Sequence, residues 1–181
     1  MEYELIEHCA PTLASLKTAS LFCLTVADEA GCRQQVTDWH ERLRHKGLAV
    51  MALRQRGDRA LIYVYRESHL RADLGKPGVA NFLARYGYRR MDVQGTLERL
   101  RERMEEEGFP HEIGIFLGYP LADVIGFIQN RGKCCKCAGC WKVYGDEAAA
   151  RRLFAQYRKC RETYRRLWQL GKTVWQLTVA A

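Results

Sequence analysis

Hydrophobic and polar positions between residues 109 and 128 change their period within one short stretch. From Glu112 to Leu117 the run is apolar and rich in β-branched and aromatic residues, which predicts a strand buried on both faces. Gly118 and Pro120 break it. Beyond them Leu121, Val124, Ile125 and Ile128 recur three or four apart, predicting a helix with Pro120 in its first turn. The rest of the chain is expected to pack around this strand, turn and helix.

Upstream, Cys9-Ala10-Pro11-Thr12 precedes Leu13, Leu16, Ala19 and Leu21 at helical spacing, with Pro11 read as an early helical position. That places Cys9 at a helix N-terminus, where backbone N–H groups and the macrodipole favour a thiolate. Lys17 falls two turns further on and is read as structural. A helix follows over 31–45, with Val36, Trp39 and Leu43 inward. Residues 48–54 and 60–66 form a hairpin turned through Arg56-Gly57-Asp58. Its second arm is apolar on both faces and is therefore expected to lie inside the sheet.

Two short helices are predicted over 68–86, broken at Gly75-Lys76-Pro77-Gly78. An amphipathic helix over 93–108 buries Leu97, Leu100 and Met104 and exposes Glu105-Glu106-Glu107. A polar, cysteine-rich loop spans 130–140, and Trp141 to Tyr144 read as a short strand. Asp146 then caps a long helix from Glu147 to about Leu170, and 173–179 read as a closing strand. The order lacks regular βαβ alternation and a glycine-rich phosphate loop. It predicts one α+β domain over residues 1–181 with a mainly antiparallel sheet.

Composition adjusts this picture in three respects. With 48% hydrophobic and 28% charged residues, a chain of 181 residues suits one domain with its own core. No apolar run approaches the roughly 20 residues that span a bilayer, and the acidic opening Met1-Glu2-Tyr3-Glu4 is unlike a secretory signal, so a cytoplasmic location is expected. The net charge of +8 concentrates late in the chain, where Arg151, Arg152, Arg158, Lys159, Arg161, Arg165 and Arg166 interleave with Tyr157, Tyr164 and Trp168. A solvated helix face is favoured there over a nucleic-acid groove, since no zinc-finger, helix-turn-helix or RNP-type signature accompanies it.

Three segments, HCAPTLASLKTASLF (8–22), FPHEIGIFLGYPLADVIGFI (109–128) and CAGCWKVYGDEAAARRLFAQYRKC (137–160), resemble the domain-of-unknown-function 3793 family. With the hairpin around residues 60–66 the resemblance covers nearly the whole chain. It implies a small bacterial protein and brings no activity, fold or cofactor with it. The family's Cys-x-Gly-x-Trp-Lys-Val-Tyr pattern maps onto Cys137, Gly139, Trp141, Lys142, Val143 and Tyr144.

Three chemistries compete. Cys9, His111 and Asp123 supply the residue types of a cysteine nucleophile, a proton-shuttling imidazole and an orienting carboxylate, which points to a thiol-dependent hydrolase or transferase. The bland counterpart is a buried Cys9 and a strand-end His111. Cys134, Cys135, Cys137 and Cys140 contain one Cys-x-x-Cys pair, Cys137 and Cys140, half of a zinc or iron–sulfur site, which Cys134 or Cys135 looping back, or Cys160, Cys9 or His111 approaching in space, would have to complete. Finally, Trp141, Lys142 and Tyr144 are suited to stacking on a planar ligand or anchoring a protein partner, and equally to packing a sheet edge.

Overall fold

The period-2 segments become a three-stranded antiparallel sheet. In the computed structural model, which describes residues 1–180, β1 (Ala19–Thr25) and β2 (Leu48–Arg56) flank β3 (Arg59–Arg66) in the order β1-β3-β2. Ala19 stands opposite Tyr65 and Leu48 opposite Arg66, and a bulge at Leu53 shifts the β2 register between Ala52 and Arg54. Because β3 is central, both its faces are covered, which is why both are apolar.

Each face meets its own layer of helices. Phe22, Leu24, Val50, Ala60, Ile62 and Val64 pack against α1 (Glu2–Leu13), α2 (Glu29–Arg44), α8 (Glu147–Gln169) and α9 (Val174–Leu177). Ala19, Leu53 and Tyr63 face α3 (Glu67–Leu74), α4 (Val79–Ala84), α5 (Val93–Glu105), α6 (Ile113–Phe116) and α7 (Leu121–Gln129). The Tyr63 hydroxyl crosses this second layer to donate to the Phe116 carbonyl at 2.7 Å. A small hairpin, β4 (Cys137–Ala138) and β5 (Lys142–Val143), packs Val143 and Trp141 against Ala150 and Tyr157 of α8. The fold is the α+β architecture that the order of elements predicts.

Three local expectations are corrected. Residues 112–117 are no strand: Ile113–Phe116 make one helical turn, buried in the second layer. A short apolar run is compatible with either state, and here Gly114 settles it. A Cβ on Gly114 would lie 2.7 Å from Val124, so this turn packs directly on α7. Residues 173–179 likewise hold the single turn α9, fixed by a capping box in which the Thr173 hydroxyl and the Gln176 side chain exchange hydrogen bonds with each other's backbone.

The third correction matters most for chemistry. The first helix runs from Glu2 to Leu13 and ends where it was expected to begin, so Pro11 lies in its last turn and Ala19 onward is strand. The chain leaves α1 through Ser15, whose φ is 59°. Buried Arg66, the last residue of β3, satisfies the helix end: it donates to Thr12 O and Leu13 O at 2.8 Å, to Val179 O at 2.7 Å and to Lys46 O at 3.3 Å.

Candidate functional site

Cys9 sits near the C-terminal end of α1 and points into the first core layer with no solvent exposure. Burial pushes its thiol up to about 12, against which the nearby Lys17 charge and a hydrogen bond with Ser20 pull only weakly. That is the reverse of the activated thiolate expected at a helix N-terminus. His111 is exposed, its ring edge-on to Phe127 at 5.0 Å between centroids, and it belongs to the second layer's rim. No hydrogen bond among the described residues joins Cys9, His111 and Asp123.

Asp123 is buried and its carboxylate is already occupied. Oδ2 accepts from the Trp141 indole N–H at 2.7 Å, and Oδ1 accepts from the backbone N–H of Tyr144 and of Gly145, both at 2.7 Å. These three bonds tie the β4–β5 hairpin to the first turn of α7. Trp141 is held further between Tyr119, stacked at 4.8 Å, and Phe154, edge-on at 4.6 Å. The Lys142 ammonium donates to Gly132 O at 2.7 Å, and the Tyr144 hydroxyl donates to Lys133 O at 2.9 Å. Trp141, Lys142 and Tyr144 therefore secure the hairpin.

The hairpin spreads its cysteines apart. Cys134 and Cys135 lie near the Tyr144 hydroxyl, Cys137 lies near Arg151, and Cys140 at the tip approaches Lys17, Tyr119 and Tyr157. Among the described residues no three His, Cys, Asp or Glu side chains are grouped as metal ligands would be. Zinc and iron–sulfur coordination by Cys134, Cys135, Cys137 and Cys140 thus finds no assembled donor set in this arrangement.

What the fold does assemble is a cavity of about 270 Å³ beside Cys140. His8 and Lys17 border it from α1 and the loop that follows, Tyr119 from the α6–α7 turn, and Tyr157 and Arg161 from α8. Lys17 reaches this place because its backbone N–H and that of Leu16 both return to Pro11 O, folding the loop against α1. Its ammonium donates to Ala19 O and lies 5.4 Å from the centre of the Tyr119 ring. Burial lowers its pKa from 10.5 to about 8, the Arg161 charge adds to that, and Cys9 and Cys140 act in the opposite sense. Around it the Tyr119 and Tyr157 hydroxyls are pushed up to about 12 by burial and donate to Cys140 O and Leu16 O, each at 3.3 Å.

A second, mainly apolar recess of about 370 Å³ opens on the other side of Cys140 and Tyr119, between Phe109, His111, Phe127 and Trp141. The half-buried Cys140 lines both recesses. Close packing fixes that position, since a Cβ on Gly139 would come within 2.3 Å of the Phe154 ring. Sequence reasoning assigned His111 and Asp123 to a site with Cys9 and Cys140 to a metal site, read Lys17 as structural, and placed Tyr157 and Arg161 on a solvated helix face, so it did not bring these residues together. The signal was a lysine and a tyrosine inside the first and third of the segments that carry the family resemblance, which meet at this cavity.

Fold and site define an α+β protein whose central sheet lies between two helical layers and whose loops enclose a cavity lined by a thiol and an amine. The family model for a protein of unknown function, DUF3793, matches residues 5–178, and the chain belongs to that family. No curated protein and no solved structure matches it. No helix among the described residues is long and apolar enough to cross a membrane.

Proposed function

We propose that the protein is a thiol-dependent transferase or hydrolase of acyl-type substrates, with Cys140 as nucleophile and Lys17 as the proton acceptor beside it. The observation that carries this reading is the placement of Cys140 between an apolar recess and a polar cavity that holds a desolvated lysine. Cys9, the nucleophile expected from sequence, has no such access.

In this reading the neutral Lys17 amine, available in quantity near pH 8, takes the proton of the Cys140 thiol. The thiolate sulfur attacks the substrate carbonyl carbon, and the bond to the leaving group breaks with its electron pair, which the Lys17 proton neutralises. Water or an acceptor nucleophile then cleaves the thioester and frees the thiol. The apolar recess bounded by Phe109, Phe127 and Trp141 receives the acyl body. His111 and Asp123 support the site from its rim and its base without forming the expected triad.

The test is acylation by p-nitrophenyl butyrate, followed by nitrophenolate release and by the mass of tryptic peptides. The expected result is an acyl adduct on Cys140, slowed in Lys17→Met and absent in Cys140→Ser. Acyl groups scattered over the exposed cysteines and lysines, at the rate of free cysteine, would overturn the reading.

A further inference from the structure

Cys140 borders a third recess, of about 320 Å³, whose floor is the face of α8 carrying Arg151, Phe154, Arg158 and Arg161. Their spacing of three, four and three residues brings all four side chains to one side of the helix. No carboxylate lines this recess. Arg151 is already bound to Glu147 at 2.7 Å, whereas Arg158 and Arg161 make no ion pair among the described residues. The Lys17 ammonium adds a further cation from the neighbouring cavity, close enough for Arg161 to disfavour its charge, and the one carboxylate lining that cavity, Glu7, is already bound by Arg165. Like charges gathered around one small space repel each other unless an anion joins them.

We propose that this recess is a phosphate subsite, so that the substrate reacting at Cys140 carries a phosphate group as well as its acyl-type carbon. The proposal rests on the reading of Cys140 as the reacting thiol and specifies its substrate as a phosphorylated small molecule. Phosphate suits the site better than carboxylate because two free guanidinium forks, one helical turn apart, offer more N–H donors than two carboxylate oxygens can accept. The recess is open to solvent along Arg151 and Arg158, and its small size and the two cavities that adjoin it at Cys140 suit a small molecule better than a polymer.

Calorimetric titration of the full chain with inorganic phosphate, at ionic strength held constant with sodium chloride, reads the subsite without reference to any reaction. Saturable binding is expected, with affinity about tenfold or more weaker in Arg158→Gln/Arg161→Gln, as loss of charge-assisted hydrogen bonds requires. Arg158→Gln alone should give part of that loss, and acetate should bind more weakly than phosphate. No saturable heat, equal binding by the double variant, or equal affinity for acetate would each overturn the proposal. A short single-stranded oligonucleotide that binds more tightly than phosphate, and is released by Arg152→Gln/Arg166→Gln on the exposed side of α8, would overturn it in favour of a nucleic-acid surface.

The reactivity of Cys140 separates this proposal from the reading beneath it. Anionic iodoacetate should gain on neutral iodoacetamide at Cys140, and the ratio should fall in the double variant and on addition of phosphate. A reactive thiol with no such preference and no phosphate binding removes the subsite and leaves the thiol reading. Phosphate binding lost in the double variant, beside a Cys140 inert to iodoacetamide, removes the thiol reading and leaves the subsite.

Discussion

Arg66 and Lys17 both lie near the C-terminal end of α1, Arg66 fully buried and Lys17 partly so, and they differ in how their charges are met. Arg66 donates to four carbonyl oxygens, of Thr12, Leu13, Lys46 and Val179, and closes the end of the helix. Lys17 donates to one, Ala19 O, and otherwise borders the cavity that Cys140 also lines. A buried cation whose donors are taken up by backbone is part of the scaffold. One that is desolvated and only partly satisfied has its pKa moved toward neutrality, which is the condition for proton transfer.

The largest expected effect comes from the scaffold side. Arg66→Met leaves the α1 carbonyls and Val179 O without their donor in a dry environment, and should destabilise the fold by about 3 kcal/mol or more. Urea denaturation of wild type and variant reads it. Lys17→Met at neutral pH should change stability by less than about 1 kcal/mol in either direction, because the loss of one hydrogen bond is offset by relief of a desolvated charge. If both variants unfold alike, the contrast between the two cations is lost.

Asp123→Asn should fall between them, at about 1–3 kcal/mol, since an amide cannot accept from Trp141, Tyr144 and Gly145 as two carboxylate oxygens do. The indole fluorescence of Trp141 should change in the same variant, because the hairpin loses its tie to α7. An unchanged Tm with unchanged fluorescence would show that the hairpin stands without Asp123.

A subtler effect is the pH dependence of stability. The Lys17 pKa falls from 10.5 to about 8 on folding, so between those values the unfolded chain binds more protons at this residue than the folded chain. Stability should therefore rise with pH across that window, and the penalty is at its full size below about pH 8. Cys9 acts oppositely above its ordinary value of 9, because its folded pKa of about 12 keeps a proton that the unfolded chain releases. The difference between wild type and Lys17→Met from pH 7 to 9 isolates the lysine. A flat difference would mean that Lys17 is fully solvated.

The scaffold was more legible in the sequence than the site. Hairpin β2–β3 announced itself through alternation and the Arg56-Gly57-Asp58 turn, and α5 and α8 through long stripes, with Asp146 as the cap of α8. The single turns α6 and α9 were not legible, because so short a mainly apolar run satisfies a strand and a helix equally and its choice is made by tertiary contact. Thr173-x-x-Gln176 was a readable capping box nonetheless. Moving α1 forward by one proline inverted the chemistry of Cys9, from a helix N-terminus to a dry core. That Lys17 and Cys140 line one cavity depends on the meeting of segments more than one hundred residues apart, which neither segment's own pattern announces.

The central claim is that Cys140, assisted by Lys17, is the reactive thiol of this protein. The most direct measurement is the alkylation rate of each cysteine by iodoacetamide between pH 6 and 9, read by peptide mass in wild type and Lys17→Met. The account predicts that Cys140 reacts faster than the exposed Cys23 and Cys134 near neutral pH, that Cys9 stays unmodified in the folded protein, and that Lys17→Met slows Cys140 by about tenfold, the loss of roughly one charge-assisted interaction. Reaction at Cys140 no faster than at Cys134, or unchanged in Lys17→Met, would contradict it.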